Sequence, residues 1–310
     1  MRFFKKTNIE FIEKRRTWYI VSSIILLIGA IATLFKGITF GIDFTGGTEI
    51  ILRFNQPIEV GTVRGAIDAT GISGAEIKTY GELNQILIRV KQTDNVSLDK
   101  IKNSIANIKQ GLTYEILKED KIGPKIGEEL KKDAIYAVFF SLIAILVYLA
   151  FRFEFVYALG AVLSLFHDLL LVFGICILFN GIHPWLNLEF SQTLIASFLT
   201  LLGFSVNDTV IIFDRIRENR KIHKTENLIS LMNRSINETL SRTIITSGTV
   251  FITVLVLFIF GGEVIRSFAF AFLIGVITGT YSSIFVASSF VIEWNIYVKK
   301  LPLEETYQKA

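Results

Sequence analysis

Six long apolar runs, separated by polar segments of very different lengths, dominate the pattern of hydrophobic and polar positions along the chain. A helix needs about 20 mostly apolar residues to cross the hydrocarbon core of a bilayer, and each run is close to that length or longer. The chain is therefore predicted to be a polytopic α-helical membrane protein with six transmembrane helices. The predicted spans are Thr17 to Phe35, Ala134 to Phe151, Phe155 to Phe179, about Phe190 to Phe213, Thr243 to Gly262, and Ser267 to Ile292.

The one long hydrophilic segment, residues 37–130, follows the first span and shows the periodicities of a folded α+β domain. Its predicted elements are strands at 48–54, 75–80, 85–91 and 113–118, with helices at 60–70 and 97–110. Ser97 is the predicted N-cap of the second helix, and Gly111 is its predicted stop. The order β-α-β-β-α-β is that of a ferredoxin-like domain, which by itself does not indicate a function.

The composition supports the membrane class. Of the 310 residues, 51% are hydrophobic and 19% are charged, which is more apolar surface than a soluble domain of this length needs. The net charge of +4 comes largely from basic segments beside apolar runs, so it indicates membrane topology and argues against nucleic-acid binding. The single cysteine, Cys176, lies inside an apolar run and is predicted to be a small buried hydrophobe.

Basic residues predict the orientation, because Lys and Arg concentrate in segments that stay in the cytoplasm. They are frequent before the first span and between the fourth and fifth spans, and absent between the third and fourth. Three regions are predicted: the cytoplasmic N-terminus with the first span (1–36), the extracytoplasmic domain (37–130), and five further spans (131–310). The last region includes a cytoplasmic loop at 214–241 and a cytoplasmic C-terminus.

The first span has an alternative interpretation. A basic leader, an apolar run and the sequence Ala30-Ile31-Ala32 also occur in cleavable signal peptides. The leader is long and the apolar run continues to Phe35, so a retained membrane span is favoured.

Charged groups inside the apolar runs are the main candidates for chemistry. An aspartate at the centre of a membrane helix costs about 2.5–3.5 kcal/mol on insertion scales, so it normally faces protein or a water-lined interior. Asp208, beside Asn207, lies in the fourth span, and Arg242 opens the fifth span from the same side. A buried carboxylate near a movable guanidinium has an adjustable proton affinity, which is what a proton carrier requires. The alternative is a static ion pair that fixes helix packing.

His167 and Asp168 lie about halfway along the third span. A histidine beside an aspartate is a candidate intramembrane polar relay for protons. The alternative is a polar clasp between helices, since adjacent residues of a helix point in different directions.

Three small residues, Gly275, Gly279 and Ser283, follow each other at a spacing of four in the sixth span. This spacing places them on one helix face and predicts close helix packing, within the chain or with a partner subunit. No phosphate-binding loop, zinc-ligand spacing or nucleophile elbow is present in the sequence, so neither an ATPase nor a catalytic or metal site is predicted.

Several segments together resemble the SecD/SecF family of protein-export membrane proteins, which belongs to the resistance-nodulation-division superfamily. The resemblance covers nearly the whole chain, and the motif in the fourth span is highly specific. The segments are Gly41 to Thr48, Ile122 to Gly127, Phe166 to Asp168, Gly203 to Asn219, Ser241 to Thr243, and Gly279 to Ser283.

The resemblance implies a function that the spacing alone does not. It implies a multi-pass protein of the bacterial plasma (inner) membrane that acts with SecD, the SecYEG channel and the SecA motor, with YajC as a further partner. The subunit would promote late translocation and release of unfolded exported polypeptides, using the proton gradient and no bound cofactor. Carried over to this sequence, Asp208, Arg242 and Asn207 form the proton pathway.

The resemblance also points to the junction between the first span and the outer domain. Because glycine and proline set which backbone angles the chain can adopt, the hinge is predicted at two junctions. The residues involved are Asp43, Phe44, Gly46, Gly47, Gly123 and Pro124. Since the chain has a single six-span half, the SecD half is expected from another chain.

Three other functions compete with this one. The first is an energy-independent scaffold of the translocation complex, with purely structural buried charges. The second is an intramembrane aspartyl protease using Asp168 and Asp208, which their depth difference of roughly 10 Å disfavours. The third is a small-molecule proton antiporter of the same superfamily, which the small size of the outer domain disfavours.

Overall fold

The computed structural model describes residues 7–72, 75–90, 98–108, 111–183, 185–298 and 300. It divides into two compact units, which are described separately. The membrane unit comprises Met1–Gly37, Ala137–Leu178 and Thr193–Ala310, and the sheet unit comprises Ile38–Tyr136 and Phe179–Gln192.

The elements follow each other in an order that combines long helices with one small sheet. They are a 3-10 turn Ile12–Lys14, α1 Arg15–Lys36, α2 Ile42–Thr45, β1 Gly47–Phe54, α3 Val60–Asp68, β2 Glu76–Tyr80, β3 Glu82–Val90, α4 Leu98–Ala106, β4 Tyr114–Ile122, α5 Pro124–Arg152, α6 Phe155–Phe179, α7 Gln192–Ile222, α8 Leu228–Phe260, α9 Gly262–Ser282, a π-helical turn Ser283–Ala287, and α10 Ser288–Tyr297.

Six helical segments in the described ranges are long and apolar enough to cross a membrane, as predicted. The sixth combines α9, the π-helical turn and α10, running from Val264 to Tyr297. The prediction of six spans is confirmed.

Three of these helices extend well beyond their predicted ends, and α5 already begins at Pro124. Helix α7 continues to Ile222 and α8 begins at Leu228, so most of the segment predicted as a loop at 214–241 is helical. Asn227 caps α8 by accepting a hydrogen bond from the backbone N–H of Ser230 at 2.8 Å. Ile216 and Met232 are buried in one hydrophobic cluster of the membrane unit, and this packing stabilises helices that continue past the apolar runs.

The four strands of the sheet unit form one antiparallel sheet in the order β2-β3-β1-β4. With α3 and α4 in the connections, this confirms the predicted β-α-β-β-α-β domain. Alternate strand residues such as Ile50 and Ile88 point to one face, where they pack with Ile67 of α3 and Ile101 of α4. The predicted helix cap Ser97 lies outside the described residues.

The opposite face of the sheet carries a network of charged side chains that the sequence analysis did not predict. Glu49 lies directly opposite Arg89 in the pairing of β1 with β3, and Arg89 Nη2 donates to Glu49 Oε2 at 2.7 Å. Glu189, in the segment between α6 and α7, accepts from Arg89 Nη2 at 2.5 Å and from Lys78 Nζ at 3.1 Å. The segment 179–192 is thereby bound to the face of the sheet that α3 and α4 leave uncovered.

Glu189 is stabilised in its charged form by this network. Burial by itself raises the pKa of the carboxyl, but hydrogen bonds and charge from Arg89 and then Lys78 outweigh burial and hold the pKa below its usual range. The ion pair is therefore present at neutral pH.

Candidate functional site

Asp208 lies on α7 with its side chain fully buried in the membrane unit. Its Oδ2 accepts a hydrogen bond from Ser247 Oγ of α8 at 3.1 Å, and Ser247 in turn accepts from Thr280 Oγ1 of α9 at 2.9 Å. Its other oxygen, Oδ1, is buried without a hydrogen-bond partner among the described residues. A buried carboxylate with one unpaired oxygen costs free energy in its charged form, so this site favours uptake of a proton or approach of a cation.

Arg242 lies near Asp208 but is not bonded to it. The two side chains interact electrostatically, yet no ion pair within 4.0 Å joins them in the part of the chain that the structure describes. Arg242 is exposed and lines a cavity of about 1280 Å³, together with Asn207 and Ile211 of α7. Asn207 is the neighbour of Asp208 along α7, whereas Asp208 itself is buried and is not among the described residues that line the cavity.

Asp168 of α6 has a different environment. It is fully buried, and three neighbouring groups bind its carboxylate. Its Oδ1 is 3.1 Å from His167 Nδ1, and its Oδ2 accepts from Ser205 Oγ at 2.8 Å and from Ser282 Oγ at 2.7 Å. Both oxygens of Asp168 are thus paired, whereas Asp208 leaves one oxygen unpaired.

The chain of contacts continues from His167 to α1. His167 Nε2 lies 3.1 Å from the Tyr281 hydroxyl, which is 3.1 Å from Ser22 Oγ of α1. Within the described ranges no group of three or more His, Cys, Asp or Glu residues is arranged to hold a metal ion.

Three consecutive residues of α9 with hydroxyl groups contact the polar groups around both Asp168 and Asp208. Thr280 binds Ser247, which binds Asp208; Tyr281 contacts His167; and Ser282 binds Asp168 directly. These residues lie next to the π-helical turn Ser283–Ala287, a local departure from α-helix geometry. Sequence reasoning assigned them no role, although hydroxyls clustered inside an apolar run were a signal that could have singled them out.

The small-residue face of the sixth span packs inside the chain. A Cβ added at Gly275 would meet Leu201 Cδ1 of α7 at 2.7 Å, and one at Gly279 would meet Ser205 Cβ at 2.9 Å. Ser283 is fully buried. Close packing of α9 against α7 within the chain therefore accounts for both glycines, without contact to a partner subunit.

The residues predicted as hinges pack closely inside the sheet unit. Gly46 adopts φ +72 and Gly47 φ +138, conformations that side chains rarely adopt. A Cβ at Gly46 would lie 2.7 Å from Pro124 Cα, beside Gly123, and one at Gly47 would lie 2.8 Å from the Val90 carbonyl oxygen. Glycine is required here both by backbone conformation and by the close approach of two chain segments.

Asp43 and Phe44 hold the same junction to the segment between α6 and α7. Asp43 Oδ2 accepts a hydrogen bond from the backbone N–H of Gln192 at 2.8 Å. The ring of Phe44 lies 5.8 Å from that of Phe190. The hinge at this junction stays a prediction.

Comparison with known proteins identifies the family. The model of the C-terminal region of the protein-export membrane proteins SecD/SecF matches residues 100–296, and the model of the SecD/SecF GG motif matches residues 31–58. The chain belongs to the SecD/SecF family. The GG motif match includes Gly46 and Gly47, and the C-terminal match includes both buried aspartates and Arg242.

Individual relatives support this assignment over nearly the full chain. The protein translocase subunit SecF of Rhodothermus marinus is 43% identical over 298 residues, covering 94% of this chain and 95% of that protein. SecF of Helicobacter pylori (strain 26695) is 39% identical, covering 93% of this chain and 88% of that protein. Among solved structures, SecDF from Thermus thermophilus, a translocon-associated membrane protein, matches with a TM-score of 0.81 at 35% identity. This match covers 93% of the present chain and 39% of the SecDF chain.

Proposed function

We propose that this chain is the SecF subunit of the bacterial protein-export machinery and uses the proton gradient to promote late translocation and release of polypeptides. In this proposal Asp208 takes up and releases the proton, and Arg242 moves toward or away from it. The protein acts as a transport component without a bound cofactor.

The observation that carries the proposal is the unpaired oxygen of the buried Asp208, whose neighbour Asn207 and electrostatic partner Arg242 line a cavity. A carboxylate fully paired with fixed donors would hold one protonation state. Asp208 instead has one weak donor, Ser247, and a nearby guanidinium that is not bonded to it. Its proton affinity therefore responds to small movements of Arg242, which is the physical basis for coupling proton uptake to motion.

The match to the solved SecDF structure supports a SecD partner. The chain spans 39% of the SecDF chain, so most of that protein has no counterpart here. We propose that a separate SecD chain supplies it in the inner membrane, and that SecYEG, SecA and YajC complete the assembly around an exported polypeptide. Both termini and the segment 214–241 would then lie in the cytoplasm. Co-purification of the tagged full-length chain with SecD tests this pairing.

The test of the proton role is Asp208→Asn in vesicles reconstituted with the export machinery. Asparagine keeps the shape of the side chain and removes the titratable proton. We expect normal assembly, with loss of the stimulation of export by an imposed proton gradient. Asp214→Asn is the matched control, because Asp214 lies on the same helix but is 40% exposed and paired with Arg152 at 3.0 Å. Stimulation by Asp208→Asn at the level of Asp214→Asn would refute the proton role.

We propose a structural role for the cluster around Asp168. Its three partners, two serine hydroxyls and the His167 ring, satisfy both carboxylate oxygens and join α6, α7 and α9, as a polar clasp between helices would. The contacts also argue against an aspartyl protease, since Asp168 and Asp208 bind different hydroxyls and no hydrogen bond joins the two carboxylates in the described ranges. An energy-independent scaffold would keep full export stimulation after Asp208→Asn, so the same experiment separates that alternative.

A further inference from the structure

A second pocket of the membrane unit lies away from both aspartates. It has a volume of about 600 Å³ and opens where α5 ends, α6 begins and α7 extends past its apolar run. Three aromatic side chains form part of its wall, with the ring of Phe213 lying 6.0 Å from that of Phe153 and 5.0 Å from that of Tyr157. This part of the wall is therefore aromatic and largely apolar.

The rim of this pocket is strongly basic. Five cationic residues line it together with a single carboxylate, that of Glu154. Two of the five have acidic partners, since Arg152 pairs with Asp214 at 3.0 Å and Arg220 pairs with Glu154 at 2.8 Å. The other three cations are Arg217, Lys221 and Lys224.

These three cations have no acidic partner among the described residues. Among the described residues, Arg217 donates only to the backbone carbonyl of Arg152, at 3.3 Å, and the exposed side chains of Lys221 and Lys224 have no hydrogen-bond or ion-pair partner. Several like charges that converge on one pocket repel one another, so the rim favours an anion that would neutralise them.

The apolar surface beside the rim shows what kind of anion fits. Phe151 also lines the pocket and is 90% exposed, and Phe155, at the start of α6, is 59% exposed. Phe151 lies next to Arg152 at the end of α5, and Phe155 is the first residue of α6; both helices are candidate membrane spans. The site thus combines a cationic rim with exposed aromatic rings at the level where the spans leave the hydrocarbon core.

We propose that this pocket binds the headgroup of an anionic phospholipid. The phosphate would lie among Arg217, Lys221 and Lys224, and the acyl chains would run along Phe151 and Phe155. Basic pockets at the ends of membrane helices bind such headgroups, and each basic residue near the surface contributes measurably to the affinity. A free phosphate would use the cations and leave the exposed rings without a role, whereas a lipid uses both.

The test is lipid retention by the purified full-length chain, measured by native mass spectrometry with phosphatidylglycerol and phosphatidylcholine offered together. We expect selective retention of phosphatidylglycerol that excess inorganic phosphate does not abolish. The double substitution Lys221→Gln/Lys224→Gln should weaken phosphatidylglycerol binding by about fivefold per lysine, or roughly 25-fold in all. Phe151→Ser should also weaken it, because the exposed ring contacts the chains.

The matched control is Lys14→Gln/Arg16→Gln, which removes the same two charges. Both side chains are exposed at the start of α1 and have no hydrogen-bond or ion-pair partner among the described residues, so their replacement should leave the fold intact. We expect this variant to bind phosphatidylglycerol as the wild type does. Equal loss in both double variants, equal retention of phosphatidylcholine, or displacement by inorganic phosphate would each overturn the proposal. A Lys221→Gln/Lys224→Gln variant that binds like the wild type would overturn it as well.

Discussion

Replacement of Gly279 by alanine tests whether the contact between α9 and α7 positions the polar groups around Asp168. The added Cβ would lie 2.9 Å from Ser205 Cβ and 3.0 Å from Ser205 Oγ. Real Cβ atoms essentially never approach another carbon this closely, so α9 or the serine must move. Ser205 Oγ is the group that donates to Asp168 Oδ2 at 2.8 Å, and any shift of the serine strains that bond.

The expected cost follows from three effects, one stabilising and two destabilising. Alanine in place of glycine favours the helix by about 0.5–1 kcal/mol because it lowers the entropy of the unfolded chain. Overpacking of a filled interior costs about 1–3 kcal/mol. Loss of the hydrogen bond to a buried carboxylate adds about 1–3 kcal/mol, because Asp168 would lose one of its three donors. We expect a net destabilisation of about 1–5.5 kcal/mol, from the sum of these ranges.

The measurement is chemical denaturation of the full-length protein in mixed micelles, with Gly203→Ala as the matched control. Gly203 lies on the neighbouring helix α7, and an added Cβ there would meet no atom within 4 Å. Gly203→Ala should therefore be neutral or slightly stabilising. If Gly279→Ala were as stable as Gly203→Ala, the close contact would not exist in the folded protein, and the face would be free for a partner subunit.

Three further predictions follow from the contacts. Glu189→Gln should lower the free energy of unfolding at pH 7 by about 1–3 kcal/mol, less than for a fully buried pair because Arg89 keeps Glu49 and Lys78 is 36% exposed. Because the pKa of Glu189 is depressed in the folded state, its stabilisation is full above the unfolded value of about 4.3 and is lost as the pH falls through the folded value. The melting temperature of the wild type should therefore fall more than that of Glu189→Gln between about pH 6 and about pH 3, a range in which carboxyl groups titrate. An equal or smaller fall in the wild type would contradict this. Tyr281→Phe removes the hydroxyl between His167 and Ser22 and should cost about 1 kcal/mol of stability. Proton-driven export should stay intact if these residues only hold the helices together, and should be lost if they relay protons. Engineered cysteines that lock the sheet unit to the membrane unit should block export stimulation until they are reduced, and full stimulation by the locked protein would exclude a swing of an intact domain.

The sequence by itself determined the membrane class and the number of spans. A bilayer leaves no water for unpaired backbone groups, so each span must be a long apolar helix that hydropathy reveals. The ferredoxin-like strand order was also predictable, because alternation of period two and the turn glycines are local signals. Asp208 stood out for the same kind of reason, since a charge inside an apolar run is costly wherever it points.

Only the tertiary structure decided which groups meet. Hydropathy could not predict the continuation of α7 to Ile222, since that stretch is held as a helix by packing with α8 and carries many charges. The pairing of Glu189 with Arg89 joins residues 100 positions apart, and no local pattern encodes it. The spacing of Gly275 and Gly279 showed that something packs closely there, but the identity of the neighbour depends on how the helices assemble. The difference between the two aspartates is of the same kind. Hydroxyls of α7 and α9 reach Oδ2 of Asp168 while His167 of its own helix reaches Oδ1, whereas Asp208 has a single hydroxyl at Oδ2 and its Oδ1 is unpaired among the described residues.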